Sequence, residues 1–214
     1  MKSFIVIGAG KFGHYFCKFL SHEDAEIMIV DGEEDKLSDM LSYVSSAKVG
    51  DCTRRDVVKS LGVEDFDEAV VCVPESFQNS LQIVDLLKEC GAKNVTAVAS
   101  TEIQAKFLLK NGADHIVFPD RDMSERLAVA ISNDSIFDFM KLSEDHGIYE
   151  ITPPKRWHSQ SVLAVDVRRK YNVNIIAVKT PDGRMFLPGA EYVFNATDHL
   201  MVFGKNADIE RITR

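Results

Sequence analysis

The apolar positions of this chain fall into two regimes. Through roughly the first 120 residues, short continuous apolar runs alternate with longer amphipathic stretches. Phe4-Ile5-Val6-Ile7, Ile27-Met28-Ile29-Val30, Ala47-Lys48-Val49, Glu68-Ala69-Val70-Val71-Cys72-Val73, Asn94 to Ala99 and His115-Ile116-Val117-Phe118 read as six strands, several apolar on both faces as in a parallel sheet. Between them Tyr15 to Leu20, Glu33 to Leu41, Arg54 to Leu61, Ser76 to Cys90 and Thr101 to Lys110 predict five helices, with Thr53 as a candidate N-cap and Gly91 and Asn111-Gly112 as stops. The pattern predicts an α/β fold, a Rossmann-like doubly wound parallel sheet with its ligand at the carboxyl ends of the strands.

Asp122 to Ile131 predicts a further helix, and apolar residues continue through Ile136, Phe137, Phe139 and Met140, as expected of a crossover or an association surface. From about residue 137 the pattern changes. Tyr149 to Thr152 is strand-like and Ser161 to Tyr171 reads as one helix. Asn174 to Lys179, a Thr180-Pro181-Asp182-Gly183 turn and Arg184 to Leu187 predict a hairpin, and His199 to Gly204 a last strand. The expected organisation is 1–136 as a nucleotide-binding domain including a crossover helix, and 137–214 as a small α+β C-terminal domain.

The first strand runs directly into Gly8-Ala9-Gly10-Lys11-Phe12-Gly13 and then into helix. In such a G-x-G-x-x-G turn the first glycine permits the tight bend and the second lets a pyrophosphate approach the backbone. The third permits close helix–strand packing, while the helix N-terminus offers unpaired N–H donors to an anion. An acid ends the second strand, Asp31, 18 residues after Gly13, where a carboxylate can accept from a ribose hydroxyl. The set points to an adenosine-containing ligand.

Bulk properties narrow the rest. At 214 residues the chain can bury one large or two small cores. A net charge of −8 argues against a nucleic-acid partner, because a phosphate-binding groove needs clustered Lys and Arg. No apolar run reaches the length of a membrane span and the N-terminus enters a strand at once, so no signal peptide is expected. The 4 cysteines, Cys17, Cys52, Cys72 and Cys90, lack C-x-x-C spacing and read as free thiols of a reducing, cytoplasmic protein.

These residues in this order resemble the cytosolic regulatory subunits of Trk/Ktr potassium uptake systems, built from RCK domains. Ile7 to Gly13 looks like the family's glycine loop, Asp31 like its ribose acid and Gly50-Asp51-Cys52-Thr53 like its turn after the third strand. Asn111 to Asp120 resembles the family's segment around the sixth strand. In the second domain Ser161 to Arg168 is similar to the helix of the family's C-terminal domain, and Asn174 to Val178 to the strand that follows it. The resemblance implies a regulator, not an enzyme: a homo-oligomer, dimeric and commonly an octameric ring, on the inner face of the cell membrane through a membrane-embedded potassium-translocating subunit. Ligand exchange would alter the ring shape and so the gating.

Carried over residue by residue, the resemblance assigns Gly8, Gly10, Lys11, Phe12 and Gly13 to the phosphates of ATP, ADP or NAD(H). It assigns Asp31 to the ribose, Asp51, Cys52 and Thr53 to the adenine border, and Val73 and Pro74 to the closing wall. Asp120 stands where family members often carry a glutamate that helps hold a cation, divalent or monovalent. Where the family often has Lys or Arg after the fifth strand, Val98-Ala99-Ser100 has none, which leaves ADP, AMP or NAD(H) open. Some relatives bind cyclic di-AMP in the C-terminal domain; Arg168, Arg169, Asn174, Ile175, Ile176 and Pro188 lie in the matching region. Arg168-Arg169-Lys170 reads equally as a solvated helix C-terminus.

The competing class is a small NAD-dependent oxidoreductase, which needs an acid–base group at the nicotinamide. The candidates, His146, His158 and His199, are isolated, and no Y-x-x-x-K, metal-spaced cluster or nucleophile elbow is present. A ligand-sensing transcription factor would need a helix-turn-helix and a basic face, and neither is found.

Overall fold

The computed structural model describes residues 1–214 as two compact units, Met1–Asp120 and Arg121–Arg214. In the first, β1 (Lys2–Ile7), α1 (Lys11–Leu20), β2 (Ala25–Asp31), α2 (Glu34–Ser38), β3 (Ser46–Val49) and α3 (Arg55–Ser60) are followed by β4 (Glu68–Val71), α4 (Phe77–Glu89), β5 (Val95–Val98), α5 (Glu102–Lys110) and β6 (His115–Val117). The six strands are all parallel, in the order β3-β2-β1-β4-β5-β6. The order reverses between β1 and β4, so their carboxyl ends open a crevice with no crossover above it.

Continuous apolar runs are needed because each central strand feeds two cores. Along β1, Ile5 and Ile7 pack on one face with Val58, Val71, Ile83, Val84 and Leu87. Val6, between them, points the other way and packs with Cys17, Ile29, Leu37, Met40 and Val70. Each such aliphatic side chain contributes on the order of 1.5–3 kcal/mol on burial, so a polar residue anywhere in the run would cost one core or the other. Two helices of this unit start on side-chain caps. Ser76 Oγ accepts from the Asn79 N–H at 3.4 Å. Thr101 Oγ1 accepts from the Gln104 N–H at 3.2 Å while Gln104 Oε1 accepts the N–H of Ser100, the residue before the cap, at 2.8 Å, so the glutamine also ties down the chain entering the helix.

The second unit takes nearly all of α6 (Pro119–Ser132), then β7 (Ile136–Lys141), β8 (His146–Ile151), α7 (Val162–Val165), α8 (Val167–Tyr171), β9 (Asn174–Lys179), β10 (Met185–Phe186), β11 (His199–Lys205) and α9 (Asn206–Thr213). Its sheet is antiparallel in the order β10-β9-β11-β8-β7. Trp157, Phe194, Tyr149, Ile151, Leu200 and Ile209 centre its core.

Three features depart from the sequence reading. Ile136 to Met140 is the edge strand β7; its apolar residues face both sides because Phe137 stacks on His199 with ring centroids 3.9 Å apart while Phe139 turns into the core. Ser161 to Tyr171 is two helices, because Asp166 takes a left-handed conformation (φ 50, ψ 54) that ends α7 and starts α8. The terminal helix α9, unexpected, docks through Ile209 and Ile212, three residues apart on one face.

Candidate functional site

The ends of four strands are stitched to one another by backbone bonds. Gly8 N–H donates to Val30 O (2.8 Å), Cys72 N–H to Ile7 O (2.7 Å) and Gly50 N–H to Asp31 O (2.9 Å). Around these ends lies a cleft of about 250 Å³, lined by Gly8, Val30, Asp31, Glu33, Lys36, Gly50, Asp51, Cys52, Thr53, Val73, Asn79 and Ile83, with Ile7 and Gly32 completing it.

The glycines are demanded by close approach. Gly8 sits at φ +102, and a Cβ there would meet Cys72 O at 2.6 Å; one on Gly13 would lie 2.1 Å from Gly8 O. Any side chain at either position forces the turn open. At Gly10 the situation is opposite: a Cβ would meet no protein atom closer than Glu75 Oε1, at 4.0 Å. Gly10 is the residue preceding α1 and makes no side-chain cap, so the open space lies at the helix start, where the first N–H groups have no partner within the helix. That is the room a phosphate would take, and the residues fit the nucleotide their pattern implies.

Asp31 is held in place by the loop it serves. Its Oδ2 accepts the Ala9 N–H at 2.7 Å and its Oδ1 the Glu33 N–H at 2.9 Å. Each oxygen keeps a second lone pair for a ligand hydroxyl. Asp51 Oδ1 accepts from Thr53 N–H (3.0 Å) and Thr53 Oγ1 (2.7 Å), and these bonds, side chain first, hold its carboxyl below the usual range. Thr53 therefore closes a turn on Asp51 and does not cap α3, whose preceding residue Arg54 makes no side-chain cap. Gln82 Nε2 fixes the same turn by donating to Thr53 O at 2.7 Å. Burial, then the Asp51 and Asp31 charges, pushes the Cys52 thiol up to about 12, so Cys52 lines the cleft as a neutral, apolar wall.

Of the residues singled out in the sequence, the cleft brings together Gly8, Asp31, Asp51, Cys52, Thr53 and Val73. Gly10, Lys11, Phe12 and Gly13 stand beside it at the start of α1, with Lys11 exposed and Phe12 stacked on Phe16; Pro74 follows β4. Glu33, Lys36, Asn79 and Ile83 were not anticipated. Lys36 is raised by its bond to Glu33 (2.7 Å), with Asp31 adding to it. A helix following Asp31 was the available signal for Lys36, which lies in its first turn.

In the second unit a shallow cleft of about 220 Å³ gathers Arg168, Asn174 and Ile175 with Leu163, Val167 and Ala190. It excludes Arg169, Ile176 and Pro188; Ile176 faces a different hollow, with Met185 and Met201. Asp120 is exposed in the first turn of α6, and no group of three His, Cys, Asp or Glu side chains is arranged to hold a metal ion. The histidines weighed for catalysis have structural partners: His146 Nδ1 with Asp145 (2.7 Å), His158 Nε2 with Pro153 O (3.0 Å) and His199 Nδ1 with Glu150 (2.7 Å). No helix is long and apolar enough to cross a membrane.

Comparison with known proteins agrees with this geometry along the whole chain. Residues 4–119 match the TrkA-N domain and residues 147–214 the TrkA-C domain. The chain is 39% identical to Ktr system potassium uptake protein C of Bacillus subtilis (strain 168), covering 100% of this chain and 96% of that one. It is 31% identical to Ktr system potassium uptake protein A of the same organism, covering 98% and 95%. Among solved structures, the GsuK channel bound to NAD superposes with a TM-score of 0.72 at 16% identity and the GsuK RCK domain with 0.70 at 15%. The chain spans 39% and 47% of those two chains, a likeness of fold. With both domain types matched in order and whole-length relatives in the Ktr systems, this chain belongs to the TrkA-N/TrkA-C family of potassium uptake proteins.

Proposed function

We propose that this chain is a nucleotide-sensing regulatory subunit that gates a membrane-embedded potassium-uptake partner. The observation that carries the reading is the identity with the Ktr system potassium uptake proteins over essentially the full length of both chains. The ligand of residues 1–136 is an adenine nucleotide, ATP, ADP or NAD(H), seated against Gly8 to Gly13 with its ribose on Asp31 and its adenine beside Asp51, Cys52 and Thr53. The cleft at the switch point and the open face of Gly10 support this. Residues 137–214 dimerise and take a second ligand. Cyclic di-AMP is the candidate, and the cleft at Arg168, Asn174 and Ile175 favours it. A cation held by Asp120 needs groups from a second copy, since one chain offers no cluster.

The active form is a homo-oligomer, an octameric ring in this reading, attached peripherally at the cytoplasmic face through the pore subunit. Ligand exchange acts by differential affinity for two ring shapes. In this reading the chain is a regulator and not an enzyme, which its potassium-uptake relatives favour. The test is potassium flux through the pore subunit reconstituted in vesicles, with and without this chain and each nucleotide. Flux is expected to change with the nucleotide only when the chain is present. Flux indifferent to the chain under every nucleotide refutes the reading, as does turnover of NAD(H) with carbonyl substrates.

A further inference from the structure

We propose that Glu75 sets which adenine nucleotide the cleft accepts, disfavouring the terminal phosphates of ATP relative to the pyrophosphate of NAD(H). The inference rests on the nucleotide reading above and adds to it the residue that selects among nucleotides. After β4 the chain continues Val73-Pro74-Glu75, and Glu75 Oε1 is the one protein atom within 4.0 Å of the point where a Cβ on Gly10 would stand. Gly10 is where the loop opens to the unpaired N–H groups of the ten-residue helix α1. A phosphate drawn to those donors would therefore lie beside a carboxylate.

Glu75 makes no ion pair of its own, although Lys36 is near enough to feel its charge. Glu75 is exposed, and the ion pairs of its unit are made by other residues; Lys36, the cation of the cleft, bonds Glu33 at 2.7 Å. The cleft itself carries Asp31, Glu33 and Asp51 against Lys36, with the exposed Lys11 beside it at the start of α1. The end of β5, the other wall from which a base could reach, supplies Val98 and Ala99, both buried, and Ser100. NAD⁺ brings a pyrophosphate of about two charges, whereas ATP near neutral pH brings about four. In a water-like dielectric each added charge at about 5 Å from a carboxylate weakens binding roughly fourfold, so two added charges weaken it on the order of tenfold or more.

The experiment is calorimetric titration of the full chain at low salt with EDTA, using NAD⁺, AMP, ADP and ATP against the wild type, Glu75→Gln and Glu75→Asp. Glu75→Gln is expected to tighten ATP on the order of tenfold relative to NAD⁺, and Glu75→Asp to keep the wild-type preference. NAD⁺ binding by the same variant shows that its cleft is intact. An ATP-to-NAD⁺ affinity ratio identical in the wild type and Glu75→Gln overturns the role of Glu75 while leaving the nucleotide reading standing. If the wild type takes up none of the four ligands, the nucleotide reading itself fails, and this inference with it.

Discussion

Replacing Asp31 by alanine strikes the fold and the cleft together, and the two losses can be measured apart. The carboxylate accepts two backbone N–H bonds, from Ala9 at 2.7 Å and Glu33 at 2.9 Å. Hydrogen bonds to a charged group contribute about 1.5–3 kcal/mol each when the donor is cut off from water. Ala9 is 8% exposed, so its amide would be stranded; Glu33 is exposed, and its amide would take up water at little cost. The expected destabilisation of the first unit is therefore about 2 kcal/mol, read as a lowered urea midpoint with the slope unchanged. The proposed bond to a ribose hydroxyl would disappear as well, and a further loss of about 1.5–3 kcal/mol corresponds to a roughly 10- to 150-fold weaker affinity for NAD⁺ by calorimetry. Asp31→Asn keeps one acceptor oxygen for two amides and should fall between. If Asp31→Ala unfolds at the wild-type urea concentration and binds NAD⁺ as tightly, Asp31 neither pins the loop nor contacts the ligand.

Two further predictions concern the second unit. Tyr192 Oη donates to Asp198 Oδ2, and Asp198, at 2% exposure, also accepts the Asn195 N–H at 3.0 Å. Tyr192→Phe leaves a buried carboxylate one partner short and should destabilise the chain by about 1–3 kcal/mol in chemical denaturation, a wild-type midpoint showing the bond to be dispensable. Glu150 lies between Lys179 (3.0 Å) and His199 (2.7 Å). Burial pushes its carboxyl up, but the bonds from His199 and Lys179 outweigh burial and hold it below its usual 4.5. A depressed carboxyl adds stability that is complete above pH 4.5 and is lost as pH falls below it. Glu150→Gln should flatten that acid-side decline in a melting series between about pH 5 and 3; an unchanged slope would place the acid sensitivity elsewhere.

The parts of the site legible in the sequence are those fixed by local geometry. A glycine turn between a buried strand and a helix carries its own explanation, and the contacts at Gly8 and Gly13 bear it out: no side chain fits. The ends of α4 and α5 follow the same logic, since Ser76 and Thr101 bond amides three residues on. Where a local rule had two solutions, the sequence alone did not decide between them. Thr53 before a helix reads as a cap, yet Asp51, two residues back, is a better partner for its hydroxyl. Ser161 to Tyr171 has an unbroken helical composition, and only the left-handed Asp166 divides it.

What the sequence determined by itself is the element order of the first unit, the glycine turn and the acid ending the second strand, because each depends on residues at most a few positions apart. Tertiary structure decided which loops meet. Glu33, Lys36 and Asn79 join the cleft from two different helices and their approaches, and Glu75 comes to stand over Gly10 across 65 positions of sequence, because β4 pairs beside β1. It decided, too, that Phe137 and Phe139, two apolar residues on one short run, serve opposite ends: one stacked on His199 at the surface, the other sunk in the core. Local pattern specifies a strand and its turn; the charge that surrounds a ligand is set by strand order, and strand order is a property of the folded sheet.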